Sequence, residues 1–176
     1  MKYVALLRGI NVGGNHKVDM KKLKTIFESI GCSNVFTYIN SGNVLFESNK
    51  NSSEIKKEVE AELKKNLGFD VPTLIKTRKE LQNIAHKIPL TWVNDDAQKT
   101  DVAYLFSEID SKKILDVLPI NKEYVQIQYI KGALFWNVKR ENYNKSKLNK
   151  IISCDEYKFM TVRNVNTARK LAEQIA

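Results

Sequence analysis

Apolar residues run through the chain in two rhythms: short continuous runs, as buried strands require, and recurrences every three or four positions, as helices require. Residues 3–7 form the first run. Met20, Leu23, Ile26, Phe27 and Ile30 then recur at helical spacing, with Asp19 as N-cap and Gly31 as the stop. Residues 34–39 are rich in β-branched and aromatic side chains, the Asn-Ser-Gly-Asn of 40–43 has turn chemistry, and 44–46 return as a strand. That sequence predicts a hairpin. Ser52 or Ser53 opens a second helix with Ile55, Val59, Leu63 and Leu67 as its apolar face and Gly68 as its stop. Residues 71–75 predict a fourth strand and 78–87 a short helix, giving the order β-α-β-β-α-β-α.

The pattern then starts again. Residues 101–106 predict a strand, and a helix runs from Asp110 or Ser111 to Leu118, stopped by Pro119. Residues 124–130 and 133–138 pair around Lys131-Gly132; a helix over 146–152, a strand over 158–162 and a helix over 166–175 follow. Tyr38-Ile39, Gly42 and Leu45-Phe46 are echoed by Tyr129-Ile130, Gly132 and Leu134-Phe135, and Arg78 and Arg163 each follow the last strand of their half. The expected fold class is therefore α+β: two tandem ferredoxin-like (βαββαβ, α/β plait) halves with antiparallel sheets. The expected division is a domain over 1–88, a joint over 89–96 carrying Pro89 and Asn94-Asp95-Asp96, and a domain over 97–176.

This topology gathers the unusual residues at one edge. The first two strands of a βαββαβ unit point the same way, because a helix crosses between them. The loop leaving the first strand and the hairpin leaving the second should then lie together. The loop is the stretch from Leu6 to Lys17, with Gly9, Gly13 and Gly14 within six residues. Glycine admits positive φ and close approach of a ligand, and donors at a helix entrance favour anions. Arg8, Asn11, Gly13, Gly14, Ser41, Gly42 and Asn43 are the candidate ligand contacts: Arg8 for bidentate charge, the glycine amides as a cradle, and Asn11, Ser41 and Asn43 to orient the ligand. In the first half both faces of the sheet read as apolar, and in the second Gln126, Gln128 and Asn137 can line a wetter face. Open faces of this kind would form a groove between the halves.

Composition narrows the function. The 176 residues are 43% hydrophobic, enough for a core, and the net charge of +9 favours polyanions and phosphorylated ligands. Cys32 and Cys154 stand far apart without metal spacing, as in a reducing cytoplasm, and no apolar segment approaches the roughly 20 residues that span a bilayer. The chain is expected to be cytoplasmic, with no membrane, no metal and no cofactor; the oligomeric state stays unassigned. The glycine loop is neither a Walker A nor a GxGxxG fingerprint. Lys131-Gly132-Ala133-Leu134-Phe135-Trp136-Asn137-Val138 puts Ala133 and Val138 where an RNA-recognition sheet needs stacking aromatics. Three functions remain: binding of a small anionic, phosphate-bearing ligand; a hydrolase or transferase using Ser41 and His16 at the same edge; or a non-catalytic nucleic-acid or protein-interaction module using the lysine-rich helices.

The run Leu6-Leu7-Arg8-Gly9-Ile10-Asn11-Val12-Gly13-Gly14, with Met20, Leu23 and Tyr38-Ile39-Asn40-Ser41-Gly42-Asn43-Val44, resembles the signature of the bacterial proteins grouped as domain of unknown function 1697. Val162-Arg163-Asn164-Val165-Asn166-Thr167 is similar to that family's C-terminal signature; Asn40 stands where Gln is common, and Val165 where Trp is common. The resemblance implies two ferredoxin-like plaits and no established activity. It adds Arg163 and Asn164 to the candidate ligand contacts, beside Asn166 or Thr167 as the cap of the last helix.

Overall fold

The computed structural model describes residues 1–14 and 16–175; Asn15 of the glycine-rich stretch and Ala176 lie outside the described residues. The chain is a mixed α+β protein with two four-stranded antiparallel sheets. It divides into two compact units, Met1–Leu81 with Leu171–Ala176, and Gln82–Lys170.

The first unit carries β1 (Lys2–Leu7), α1 (Met20–Ser29), β2 (Ser33–Tyr38), β3 (Asn43–Glu47), α2 (Ser52–Leu67), β4 (Thr73–Thr77) and the start of α3 (Arg78–Lys87). Its sheet is ordered β2-β3-β1-β4. Alternation along β1 decides the packing. Tyr3, Ala5 and Leu7 join Val44 and Phe46 beneath Leu23, Ile26 and Phe27 of α1 and Ile55, Val59 and Leu63 of α2. Each large apolar side chain so enclosed contributes about 1.5–3 kcal/mol. Val4 and Leu6 point to the other face and are equally enclosed, at 0% exposure, in keeping with a sheet that reads as apolar on both faces.

The second unit carries β5 (Gln98–Leu105), α4 (Ile114–Val117), β6 (Val125–Ile130), β7 (Ala133–Lys139), α5 (Tyr143–Ser146), β8 (Met160–Asn164) and the start of α6 (Val165–Gln174). Its sheet is ordered β6-β7-β5-β8. Ala103, Leu105, Leu134, Trp136 and Met160 build its core with Leu148 and Ile151.

Several elements differ from the sequence expectation, each for a local reason. α2 does open at Ser52, and Asn51 before it is the cap: its side chain accepts from Ser53 and Glu54 amides while Glu54 reaches back to the Asn51 amide, a full capping box. The helix expected from Asp110 shrinks to the single turn of α4, because the Asp110 carboxylate is taken by Gly132 N and Tyr129 OH, at 2.8 and 3.1 Å, and cannot cap. The helix expected over 146–152 is interrupted at Lys147, whose φ of 58° lies in the left-handed region, and 3-10 turns replace it. The strand expected to end at Val162 runs on to Asn164, so Arg163 lies within β8 instead of following it.

Candidate functional site

β1 and β2 both run antiparallel to β3, so their C-terminal ends share one edge of the first sheet. Leu7 N donates to Gly42 O at 2.8 Å, which joins the start of the glycine loop to the hairpin. Asn11 makes the second and more specific link. Its amide nitrogen donates to Val18 O (3.1 Å) and to Asn40 O (2.8 Å), and its carbonyl accepts from Val18 N (2.8 Å). One side chain thus ties the loop to the entrance of α1 and to a turn 29 positions away. The loop closes on itself through Asn11 N to His16 O at 3.1 Å. Asn11 has a φ of 53°, a conformation asparagine tolerates better than most residues.

Beside the loop lies a cleft of about 680 Å³, lined by Asn11, Gly14, Lys17, Met20, Lys21 and Asn40 among others. Asp19 also borders it, but its carboxylate is occupied by the first amides of α1, accepting from Lys21 N and Lys22 N at 2.7 and 3.1 Å. Lys17 and Lys21 have no carboxylate partner among the described residues, so the cleft is left with uncompensated positive charge.

The sequence-derived candidates separate into groups. Asn11 and Gly14 line the cleft, and Gly13 adjoins it in the loop. Arg8 is half-buried, with its amide donating to Pro72 O at 2.9 Å, and lies outside the lining. Asn43 is wholly buried: its amide donates to Tyr38 O and Ser41 Oγ at 3.1 and 2.9 Å, so these residues shape the turn. Gly42, at φ 74°, packs where a Cβ would strike Leu7 and Ile10. His16 stacks on Phe69 with ring centroids 4.2 Å apart, and its Nδ1 lies 3.2 Å from Gly9 O. A carbonyl only accepts, so Nδ1 holds the proton in that bond, and the ring is drawn into its own loop.

Arg163 and Asn164 belong to the second unit. Arg163 is buried, donating to Thr161 Oγ1 (2.9 Å) and Val162 O (2.8 Å); burial pulls its guanidinium down to about 10, which leaves it cationic at neutral pH. Asn164 caps α6, its side chain accepting from Thr167 N at 2.9 Å, where Asn166 or Thr167 had been expected. Lys17, Lys21 and Asn40 are the lining residues that pattern reading missed as contacts. Their available signal is the pair of lysines that flank the Asp19 cap, Lys17 before α1 and Lys21 in its first turn.

Among the described residues, no cluster of His, Cys, Asp or Glu could hold a metal ion, and no helix is long and apolar enough to cross a membrane. The fold matches that of the conserved bacterial protein SP0830 from Streptococcus pneumoniae, with a TM-score of 0.85, 24% identity, and coverage of 99% of this chain and 98% of that one. The profile of the family described as "Protein of unknown function (DUF1697)" matches residues 1–135, which hold the glycine loop, the hairpin and the whole first sheet, and the chain belongs to that family.

Proposed function

We propose that the cleft beside the glycine loop binds a small anionic ligand, with phosphate-bearing molecules as its class. The observation that carries this reading is the pairing of a fixed cavity with unpartnered charge: Asn11 holds the loop in place while Lys17 and Lys21 face the cleft without carboxylates of their own. Gly13 and Gly14, at φ 61° and 80°, keep the backbone open to close approach of an oxyanion. The net charge of +9 would draw such a ligand in. Beneath this reading we infer that each half is a ferredoxin-like plait and that the two are repeats. The strand orders β2-β3-β1-β4 and β6-β7-β5-β8 support that inference.

The test is a thermal-shift screen against inorganic phosphate, pyrophosphate, sugar phosphates and nucleotides, with wild type beside a Lys17→Gln/Lys21→Gln double variant. A ligand at a hundred times its dissociation constant adds about 2.7 kcal/mol, roughly 5–10 °C for a chain of this size. We expect a shift in wild type that the double variant loses. No shift with any phosphate compound, or a shift that survives both substitutions, refutes the reading.

A further inference from the structure

A second cavity lies wholly within the second unit. It holds about 580 Å³, inside the range of about 300–1,000 Å³ usual for small-molecule sites. Its floor is the face of the second sheet opposite the Leu134–Trp136 core. Pairing places Gln126 of β6 opposite Asn137 of β7, and Asn137 opposite Thr100 of β5, with Gln98 two positions earlier on the same face. Three amide side chains therefore stand together on one patch of sheet.

Their orientations are fixed by a chain of hydrogen bonds. Thr100 Oγ1 donates to Val93 O at 2.6 Å, and so must accept, not donate, in its contact with Asn137. The Asn137 amide spends both of its protons, on Gln98 Oε1 at 2.7 Å and Thr100 Oγ1 at 2.8 Å. Gln98 thus uses its oxygen inward. Left unbonded on these two cavity-lining amides are an acceptor, Asn137 Oδ1, and a donor, Gln98 Nε2, and neither has a partner among the described residues. Gln126 adds a further free amide.

The walls select what this pair reads. Trp92 is packed edge-on against Phe135, with centroids 6.0 Å apart, and supplies a rigid apolar wall. Lys139 and Arg140 face Asp96 and Glu141 around the rim, so the charge of the lining balances, unlike that of the glycine-loop cleft. Arg140 is further anchored to Asp95 O and Asn94 Oδ1. A balanced rim gives no attraction to an anion and suits an uncharged ligand. A donor beside an acceptor matches a ring N–H beside a ring C=O, the edge by which proteins read unpaired bases.

We propose that this cavity binds an uncharged nucleoside or nucleobase with a lactam edge, through Asn137 Oδ1 to its N–H and Gln98 Nε2 to its C=O. The site lies in the other unit from the glycine-loop cleft and is independent of the anion reading.

Saturation-transfer NMR and calorimetric titration of the full chain with uridine and guanosine test it. We expect saturable binding of at least one of them. 3-Methyluridine and 1-methylguanosine, which lack the ring N–H, should bind tenfold or more weakly, because a site built to hydrogen-bond a group rejects the analogue lacking it. Gln98→Glu keeps the acceptor that Asn137 needs but removes the donor, and should weaken binding by a similar factor. The methylated ligands test the same contact with no change to the protein, so a misfolded variant would not hide the answer. Absence of saturable binding by both nucleosides overturns the proposal, as does equal affinity for the methylated analogues. Binding that inorganic phosphate displaces, and that Lys17→Gln/Lys21→Gln abolishes, overturns it too, since the glycine-loop cleft would then hold the nucleoside.

Discussion

Replacing Gly42 by alanine tests how the hairpin is locked to the glycine loop. The residue has a φ of 74°, and an added Cβ would stand 2.8 Å from Leu7 Cβ and 2.9 Å from Ile10 Cδ1. Leu7 Cβ sits on the backbone of a buried central strand and cannot swing aside; Leu7 N is also bonded to Gly42 O. Two costs therefore add. The left-handed conformation costs an L-residue about 1–2 kcal/mol. Overpacking a tight contact costs about 1–3 kcal/mol. A total near 3 kcal/mol lowers the thermal midpoint by roughly 6–12 °C in a chain of this length. Gly68 is the matched control: it ends α2 at φ 81°, and a Cβ there meets nothing within 4 Å. Gly68→Ala should show the conformational cost alone, about 1–2 kcal/mol. Urea and thermal unfolding followed by circular dichroism would measure both. If the two variants lose equal stability, the steric half of the argument is wrong. If Gly42→Ala is neutral, the contact between hairpin and loop is not as tight as the geometry requires.

Two further outcomes follow from local chemistry. Asn11→Ala removes three side-chain hydrogen bonds, each worth about 0.5–1.5 kcal/mol net, so urea unfolding should show a loss of about 2–4 kcal/mol. Asp110 is opposed by burial, but bonds from Gly132 N, Lys131 and Tyr129 outweigh that and hold its carboxyl below the usual range. A depressed folded pKa gives stability that is present above the unfolded value, about 3.9, and lost as pH falls through the folded one. The difference in stability between wild type and Asp110→Asn should therefore shrink as the medium is acidified below about pH 4; a difference that stays constant down to pH 2 would refute the assignment.

Elements with strong periodicity and their own punctuation were legible in the sequence. α1, framed by Asp19 and Gly31, was read almost to the residue, and α3 to both ends. The convergence of the first loop with the hairpin followed from topology alone, because a crossover helix makes β1 and β2 parallel. The departures share a cause: a polar side chain already committed to a partner, across the chain for Asp110 and within its own turn or strand for Asn43 and Arg163. Asp110 looks like a cap in sequence, but its partners at Tyr129, Lys131 and Gly132 lie across the chain. Asn43 looks like a ligand contact, but the turn consumes its amide. Arg163 looks like a loop cation, and strand extension carries it inside. Lys17 and Lys21 were hidden differently: in a chain with 29 basic residues, no composition argument singles out two. Only the cleft does so.

The division of the chain has a consequence for biosynthesis. Leu171 and Ile175, exposed to 0% and 2%, belong to the first unit, with Ile175 beside Phe36 and Leu45. The first unit thus takes its last structural contribution after all of Gln82–Lys170 has been translated. Its hydrophobic face stays incomplete on the ribosome for the whole time the second unit is being made, a window in which nascent-chain chaperones would find it exposed. A fragment ending at Lys87 reproduces that interval permanently, so the N-terminal half, for all its self-contained element order, would be released unfinished.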